Sequence, residues 1–183
     1  LIKGLLNKGK QVRGRLDGSI PRTGELSPNL VGKALGLNVK EGFPIPELLA
    51  PRPPKLCDGC PHIDSYTALN EAMKSYGEYK VFADIGCYTL GALPPLKAIY
   101  TTVDMGASIT MAKGAAEADL RPTVAVIGDS TFTHSGMTGL LDCVVDNVPV
   151  TVMILDNGIT GMTGSQKSSA TGRIESICQG IGV

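Results

Sequence analysis

The residues best suited to bind a metal ion follow two apolar runs of the sequence. Gly128-Asp129-Ser130 comes directly after the run from Thr123 to Ile127, and Asp156-Asn157 comes directly after the run from Val148 to Leu155, with 26 residues between Ser130 and Asn157. A carboxylate and an amide oxygen at the ends of two neighbouring buried strands can jointly hold a hard divalent cation, and that cation can hold a pyrophosphate. The pair therefore indicates the kind of ligand that the protein binds.

Three cysteines form a second candidate metal site. Cys57 and Cys60 are spaced as CxxC, and Cys87 follows 27 residues after Cys60 at a predicted strand end. Three such thiolates could occupy three corners of a tetrahedral iron–sulfur or zinc site. Cys143 falls within a predicted helix and is expected to be a core thiol, and Cys178 lies in a predicted terminal helix. The fourth ligand is therefore left open, and structural zinc and unligated thiols remain alternatives.

Regular elements are predicted from about residue 64 onward, and these must position both sets of side chains. The apolar spacing predicts helices over 64–76, 106–119 and 135–146 and strands over 80–83, 99–103, 123–127 and 150–155. Strands alternating with helices predict an α/β fold with a doubly wound parallel sheet. Ligands of such sheets lie beyond the carboxyl ends of the strands, where Asp84, Asp104, Asp129 and Asp156 all fall.

Composition narrows the class of protein. Seventeen basic and seventeen acidic residues in a chain of 183 give no net charge, so neither nucleic acid nor an anionic membrane is indicated as a partner. No apolar run approaches the roughly 20 residues that span a bilayer. Five cysteines without an export signal favour a reducing, cytoplasmic location.

The chain changes character near residue 50. Residues 1–54 are predicted to be an interdomain linker segment with one short helix starting at Ser27-Pro28, and Pro51-Arg52-Pro53-Pro54 are predicted to form a stiff connector. Residues 55–183 are predicted to form the binding domain. The chain does not begin with Met, and we expect it to be a fragment truncated at its C-terminus.

The motifs resemble those of a known family. Gly128-Asp129-Ser130 and Asp156-Asn157 resemble the thiamine-diphosphate signature, in which Gly-Asp-Gly usually precedes an Asn pair, so Ser130 and Asp156 are departures from it. Met105-Gly106 resembles the helix start that precedes this signature. More narrowly, the chain is similar to the alpha subunit of indolepyruvate ferredoxin oxidoreductase in Leu56 to His62, Asp84 to Gly91, Asp104 to Ser108 and Gly128 to Gly136.

The resemblance implies a sheet of the thiamine-diphosphate-binding, pyrophosphate-domain type with thiamine diphosphate and Mg²⁺ bound. Asp129 would bind Mg²⁺ through a carboxylate oxygen, Asn157 through its side-chain oxygen and Ile159 through its backbone carbonyl. Met105 would lie beneath the cofactor and hold it bent. The other cofactor-binding positions implied are Gly86, Cys87, Gly106, Gly128, Ser130 and Thr160.

The resemblance also implies that Cys57, Cys60 and Cys87 hold a [4Fe–4S] cluster close to the cofactor. The implied reaction is oxidative decarboxylation of an arylpyruvate to arylacetyl-CoA, with electrons passed to ferredoxin. The implied partners are a pyrimidine-binding domain that supplies the activating glutamate, a ferredoxin-like domain, a beta subunit, ferredoxin, coenzyme A and the arylpyruvate. Because these domains are not recognised in the sequence, we expect the isolated chain to be inactive.

The two histidines and the wider function leave alternatives. His134, in the predicted turn after the metal motif, could transfer protons at the substrate or could face solvent. His62 could hydrogen-bond a cluster sulfur or simply start the next helix. The alternative functions are another 2-oxoacid:ferredoxin oxidoreductase, a non-redox thiamine-dependent decarboxylase and a zinc-stabilised interaction domain.

Overall fold

A computed structural model of the chain describes residues 8–9, 12–40, 42–44, 46–50 and 53–183. The chain divides into two compact units, residues 1–52 and 53–183. Leu1 to Leu6 and the first two residues of the predicted connector, Pro51 and Arg52, lie outside the described residues. Within the described part of the chain, no helix has the length and apolar character needed to cross a membrane.

The first unit contains helix α1, Pro28–Ala34. It starts as predicted, because the Ser27 hydroxyl accepts a hydrogen bond from the backbone N–H of Leu30 at 3.2 Å and Pro28 occupies the first helical position. Arg13 donates a hydrogen bond to the backbone carbonyl of Ala34 at 3.1 Å. A side-chain cap and a tertiary bond thus hold the two ends of this short helix.

The second unit is built on a parallel sheet of four strands. Strands β1 (Lys80–Ala83), β2 (Thr101–Thr102), β3 (Thr123–Gly128) and β4 (Thr151–Leu155) lie in the order β2-β1-β3-β4. The predicted doubly wound parallel sheet is confirmed. Strand β2 is shorter than the predicted 99–103, because Ile99 and its neighbour Ala98 are buried in the core without joining the ladder.

Helices connect and cover the strands. They are α2 (Pro61–Met73), α3 (Ala107–Glu117), α4 (Asp129–Thr131), a π-helical turn (Phe132–Gly136), α5 (Met137–Val145) and α6 (Ile174–Ile181). Shorter elements are the 3₁₀ segments Lys74–Tyr76, Cys87–Ala92 and Gly161–Thr163, and the hairpin strands β5 (Ile159–Thr160) and β6 (Gln166–Lys167).

Helical structure after β3 begins earlier than predicted. The sequence predicts a helix from Ser135, but the chain turns helical at Asp129 and passes through the π-helical turn before α5. The apolar periodicity is displaced in that turn because a π-helix has more residues per turn than an α-helix. Residues 129–134 therefore belong to a helix rather than to the predicted turn.

Side chains alternate between two cores on opposite faces of the sheet. Val81 and Val126 pack on one face with Tyr66 of α2 and with Tyr88. On the other face, helices α3 and α5 contribute to a core whose buried members are Phe82, Ile109, Ala112, Ala125, Ile127, Phe132, Leu140 and Cys143. Cys143 is the core thiol that the sequence predicts. Helices and loops of the second unit thus cover both faces of the sheet, and the carboxyl ends of the strands carry the predicted site residues.

Close packing around Tyr66 generates the first testable prediction. A Cβ at Gly91 would lie 2.3 Å from Cε2 of the fully buried Tyr66 ring. We expect Gly91→Ala to lower the free energy of unfolding by about 1–3 kcal/mol through overpacking. Gly114→Ala in α3 is the matched control, because a Cβ there would meet no described atom within 4 Å. This substitution should raise the free energy of unfolding by about 0.5–1 kcal/mol. Chemical denaturation measures both, and effects of the same sign would contradict this packing.

Candidate functional site

The order of the strands creates a crevice between β1 and β3. The chain leaves β1 toward β2 on one side, whereas β3 pairs with β1 on the other. Connections that run in opposite directions leave an opening at the carboxyl ends of the two central strands. The register pairs Gly128 of β3 with Leu155 of β4, so Asp129 and Asp156-Asn157 emerge at the same edge.

A cavity of about 350 Å³ lies at this edge. Residues from the ends of β1, β3 and β4, from the loop before α3 and from the β5-β6 hairpin line it. The predicted site residues among them are Gly86, Cys87, Met105, Gly128, Asp129, Ser130, Asn157, Ile159 and Thr160, and the others are His62, Ile85, Tyr88, Thr131, Leu155, Gly161, Met162 and Thr163. The fold therefore brings nine of the predicted positions to one cavity.

Asp129 presents an unsatisfied oxygen in this cavity. The residue is only 3% exposed, and its Oδ2 atom has no hydrogen-bond partner among the described residues. Buried carboxylate oxygens are normally paired, because an unpaired one carries the full cost of desolvation. A bound divalent cation would satisfy this atom, so the residue fits a metal site.

Asn157 and Ile159 bring further oxygen atoms to the same cavity. The Asn157 Oδ1 atom accepts a hydrogen bond from the backbone N–H of Ile159 at 3.1 Å, which closes a turn before the β5-β6 hairpin. A carbonyl oxygen has two lone pairs, so this bond leaves one for a cation. In the described part of the chain, no three His, Cys, Asp or Glu side chains gather to hold one ion. The set around Asp129 instead combines one carboxylate with amide oxygens.

Met105 and Gly106 approach the cavity from the loop before α3. Met105 lines the cavity and is 40% exposed. Gly106 does not line it but shapes the loop: its φ is 91°, and a Cβ there would lie 2.2 Å from the Ser135 hydroxyl. That hydroxyl donates to the carbonyl of Met105 at 2.7 Å. A glycine at this position therefore lets the loop carry Met105 into the site.

The ring of Tyr88 forms part of the cavity floor and explains two glycines. A Cβ at Gly86 would lie 2.2 Å from the ring carbon Cε1 of Tyr88, and a Cβ at Gly128 would lie 2.5 Å from the same atom. The Tyr66 hydroxyl donates a hydrogen bond to the backbone carbonyl of Tyr88 at 2.8 Å, and this bond fixes the backbone of Tyr88. Both predicted glycines are thus needed for the close approach of strand-end backbone to an aromatic ring.

Asp84 is the main residue of the site region that is absent from the predicted set. It follows β1, is fully buried, and accepts hydrogen bonds from the Tyr88 hydroxyl, the Ser108 hydroxyl at 2.6 Å and the backbone N–H of Gly106 at 3.2 Å. Burial raises the pKa of Asp84, and these hydrogen bonds oppose that rise. Its signal in the sequence is the same as that of Asp129, an acidic residue directly after an apolar strand.

The three predicted cluster cysteines lie near one another. The backbone N–H of Cys60 donates to the carbonyl of Cys57 at 3.1 Å across a tight turn in which Gly59 has φ 73°. Burial raises the pKa of the Cys87 thiol, and the thiols of Cys60 and Cys57 raise it further. Cys178, in contrast, packs from α6 on the core of the opposite face. Cys57 is exposed, and Cys60 and Cys87 are half-buried.

His62 links the cysteines to the cavity. It is 3% exposed, it lines the cavity, and its Nε2 atom lies 3.3 Å from the sulfur of Cys87. Burial lowers the pKa of His62, although the nearby charge of Asp129 opposes this effect. The residue also lies in the first turn of α2, so it helps to start this helix while its ring lies beside the Cys87 sulfur.

His134 does not reach the cavity. It lies exposed in the π-helical turn rather than in a loop, and its Nδ1 atom is 3.0 Å from the hydroxyl of Ser135. Because that hydroxyl donates to Met105, the imidazole must donate to Ser135 through Nδ1. The predicted catalytic position thus supports the Met105 loop and is not among the residues that line the cavity.

Comparison with known proteins agrees with this arrangement. Residues 84–180 match the family described as thiamine pyrophosphate enzyme, C-terminal TPP binding domain. The chain belongs to this family. The matched region starts at Asp84, directly after β1, and contains the ends of β3 and β4 that line the cavity.

More particularly, the chain is similar to proteins named indolepyruvate oxidoreductase subunit IorA, which confirms the resemblance found in the sequence. The relative from Archaeoglobus fulgidus is 37% identical over 94% of this chain and 32% of its own length. The relative from Methanothermobacter marburgensis is 41% identical over 85% of this chain and 26% of its own length. The chain thus spans about a third or less of these curated relatives.

A solved structure shares the fold. The 2-oxoglutarate:ferredoxin oxidoreductase from Magnetococcus marinus, with 2-oxoglutarate, coenzyme A and succinyl-CoA bound, matches with a TM-score of 0.56. The match covers 65% of this chain and 42% of that chain at 23% sequence identity. At this identity the match supports the fold.

The burial of Asp84 generates a prediction about pH. A folded-state pKa raised above the ordinary value of 3.8 gives stability that is full below that value and is lost as the pH rises through the folded-state pKa. Asp84→Asn cannot ionise and should lack this loss. Its free energy of unfolding should therefore fall less than that of the natural protein between pH 4 and pH 7, as measured by urea denaturation.

Asp84→Ala provides the comparison. It leaves the Ser108 hydroxyl and the N–H of Gly106 without their buried acceptor, so we expect a loss of about 3 kcal/mol at pH 7. Parallel pH profiles for the natural protein and Asp84→Asn would contradict a raised pKa of Asp84.

Proposed function

We propose that this chain binds the diphosphate end of thiamine diphosphate through Mg²⁺. Asp129, Asn157 and the backbone carbonyl of Ile159 are the Mg²⁺ ligands. The single observation that carries this proposal is the buried, partnerless Oδ2 atom of Asp129 in a cavity of a domain belonging to the TPP-binding family. The chemistry of the donors supports it, because carboxylate and carbonyl oxygens are the ligands that Mg²⁺ prefers.

The remaining cavity residues position the cofactor. Gly86 and Gly128 let the ring of Tyr88 pack against the strand-end backbone, and the hydroxyls of Ser130 and Thr160 line the same cavity. Met105 supports the cofactor from the loop that Gly106 shapes. His134 contributes to catalysis only indirectly, by donating to Ser135, which holds that loop.

The reaction we propose for the complete protein is that of a 2-oxoacid:ferredoxin oxidoreductase. Bound thiamine diphosphate supplies an electron sink for the loss of carbon dioxide from a 2-oxo acid. The names of the relatives favour indolepyruvate as a substrate. With it we propose related arylpyruvates as substrates, arylacetyl-CoA as the product and ferredoxin as the electron acceptor. Within this chain, the residues at the strand ends bind and orient the cofactor and exclude water from the buried side of the cavity.

Cys57, Cys60 and Cys87 are proposed as three ligands of a [4Fe–4S] cluster. They need not converge on one point, because each iron of such a cluster takes its own thiolate. Cys87 supports the assignment since it both lines the cofactor cavity and lies near the other two thiols. The N–H of His62 can donate to the Cys87 sulfur if the proton is on Nε2.

The proposed reaction requires domains in addition to the diphosphate-binding domain. Residues 55–183 would be the diphosphate-binding domain and 1–54 a linker to other domains. The activating glutamate would come from a pyrimidine-binding domain, and electrons would leave through a ferredoxin-like domain, with a beta subunit completing the enzyme. All five cysteines are unpaired thiols, which suits the reducing cytoplasm.

Replacing Asp129 tests the metal site. We expect Asp129→Ala in the complete protein to lower Mg²⁺-dependent affinity for thiamine diphosphate by at least about 100-fold, because the site loses its carboxylate ligand. Asp156→Ala is the matched control, since this neighbouring acid is exposed and bonds only the backbone of Gly158. Isothermal titration calorimetry measures both. Unchanged affinity in Asp129→Ala would refute the assignment.

Cysteine substitutions test the cluster. After anaerobic reconstitution of the complete protein with iron and sulfide, Cys87→Ser should lower iron content and remove the electron paramagnetic resonance signal of the nearby cluster. Cys178→Ser should leave both unchanged, because this thiol packs on the opposite face of the sheet. Stoichiometric zinc with no iron in the natural protein would instead favour a structural zinc site.

A further inference from the structure

The hydroxyl of Ser130 joins two segments that carry proposed metal ligands. Its Oγ atom lies 2.5 Å from the Thr160 hydroxyl and donates to the Ser168 hydroxyl at 3.1 Å. Because the single proton of Ser130 is directed to Ser168, Thr160 must donate to Ser130. The three residues thus form a directed chain of hydrogen bonds, which we term the hydroxyl clasp.

The end of the clasp is anchored inside the protein. Ser168 is 2% exposed, its Oγ atom accepts from the N–H of Ala170 at 3.2 Å, and its own N–H donates to the carbonyl of Gly158 at 2.9 Å. Strands β5 and β6 pair Thr160 with Gln166, so the hairpin that contains Ile159 and Thr160 is held along both arms. A hydrogen bond to Ser168 therefore fixes the hairpin to the end of β3.

The sequence positions of Ser130 and Thr160 show which parts of the site the clasp holds together. Ser130 directly follows Asp129, and Thr160 directly follows Ile159, so the clasp ties the neighbours of two oxygen donors that are 30 residues apart in sequence. The Oδ2 atom of Asp129 has no described partner, and no side-chain bond of its own fixes its distance from Ile159. The bonds of Ser130 to Thr160 and Ser168 hold that spacing, together with the 2.8 Å contact between the hydroxyls of Thr133 and Ser169 just beyond them.

We propose that Ser130, with Ser168, is a positioning residue that sets the spacing of the cation cage and so selects Mg²⁺ over larger cations. This inference rests on the proposed Mg²⁺–diphosphate site. Mg²⁺ requires nearly ideal octahedral geometry at about 2.0–2.1 Å, whereas Ca²⁺ accepts irregular coordination at about 2.3–2.6 Å. Loss of the hydroxyl clasp should therefore lower the affinity of the site for Mg²⁺ more than its affinity for Ca²⁺.

The test compares thiamine-diphosphate affinity in the presence of Mg²⁺ and of Ca²⁺ for the complete protein. We expect Ser130→Ala and Ser168→Ala each to weaken Mg²⁺-supported binding about tenfold and Ca²⁺-supported binding much less, as for other residues that support metal ligands. Ser176→Ala is the matched control, because this exposed hydroxyl bonds only the carbonyl of Arg173, the residue that precedes α6. Its ratio of the two affinities should equal that of the natural protein.

Equal loss with both cations, or no loss, would overturn the inference, since a purely structural clasp cannot change the ratio. Failure of the natural protein to bind the cofactor with either cation would overturn the proposed function itself.

A second measurement needs no cofactor. Hydrogen–deuterium exchange of the free protein should be faster in the Ile159–Lys167 hairpin of Ser130→Ala and unchanged in β3. Unchanged exchange in the hairpin would also contradict the clasp.

Discussion

The buried carboxylate of Asp84 joins the loops on which the site depends. It accepts from Tyr88 in the loop after β1 and from Gly106 and Ser108 at the start of α3. One acidic group thereby fixes the aromatic floor of the cavity and the loop that carries Met105. Each oxygen accepts a hydrogen bond, and these bonds offset part of the cost of burying the carboxylate. Asp129 occupies the same position at the end of the neighbouring strand, but it is buried with one carboxylate oxygen unpaired.

Asp84 and Asp129 differ in whether their buried oxygens are paired. Both residues follow an apolar strand, but the sequence analysis selects only Asp129 as a metal ligand. Their difference in the structure arises from neighbours that are distant in sequence: Ser108 and Gly106 reach Asp84 across 24 and 22 residues, while no described donor reaches the Oδ2 atom of Asp129. Two chemically identical side chains thus differ at this edge, because tertiary contacts pair the oxygens of only one of them.

The sequence predicts the sheet well because local patterns determine it. Strand β1 occupies Lys80–Ala83 as expected, and Gly106 precedes α3. Local patterns do not reveal contacts between distant segments. The π-helical turn leaves His134 exposed, which is one of the two positions considered for it, and the β5-β6 hairpin is stabilised by Ser130 and Ser168, which no local pattern connects. The predicted cavity residues belong to recognisable motifs, whereas the hydrogen bonds of Asp84 arise only from the fold.

The lining of the cavity includes a buried carboxylate and two exposed methionine side chains. Asp129 is 3% exposed, whereas Met105 and Met162 on the other walls are 40% and 70% exposed. A ligand with a charged end bound through a cation and an apolar ring body matches this combination of side chains. In the proposed function, the charged end would bind at the buried carboxylate, while the methionines offer exposed apolar surface at the same cavity. The donors at the ends of β3 and β4 would therefore anchor the cofactor, and its activation would depend on the pyrimidine-binding domain proposed above.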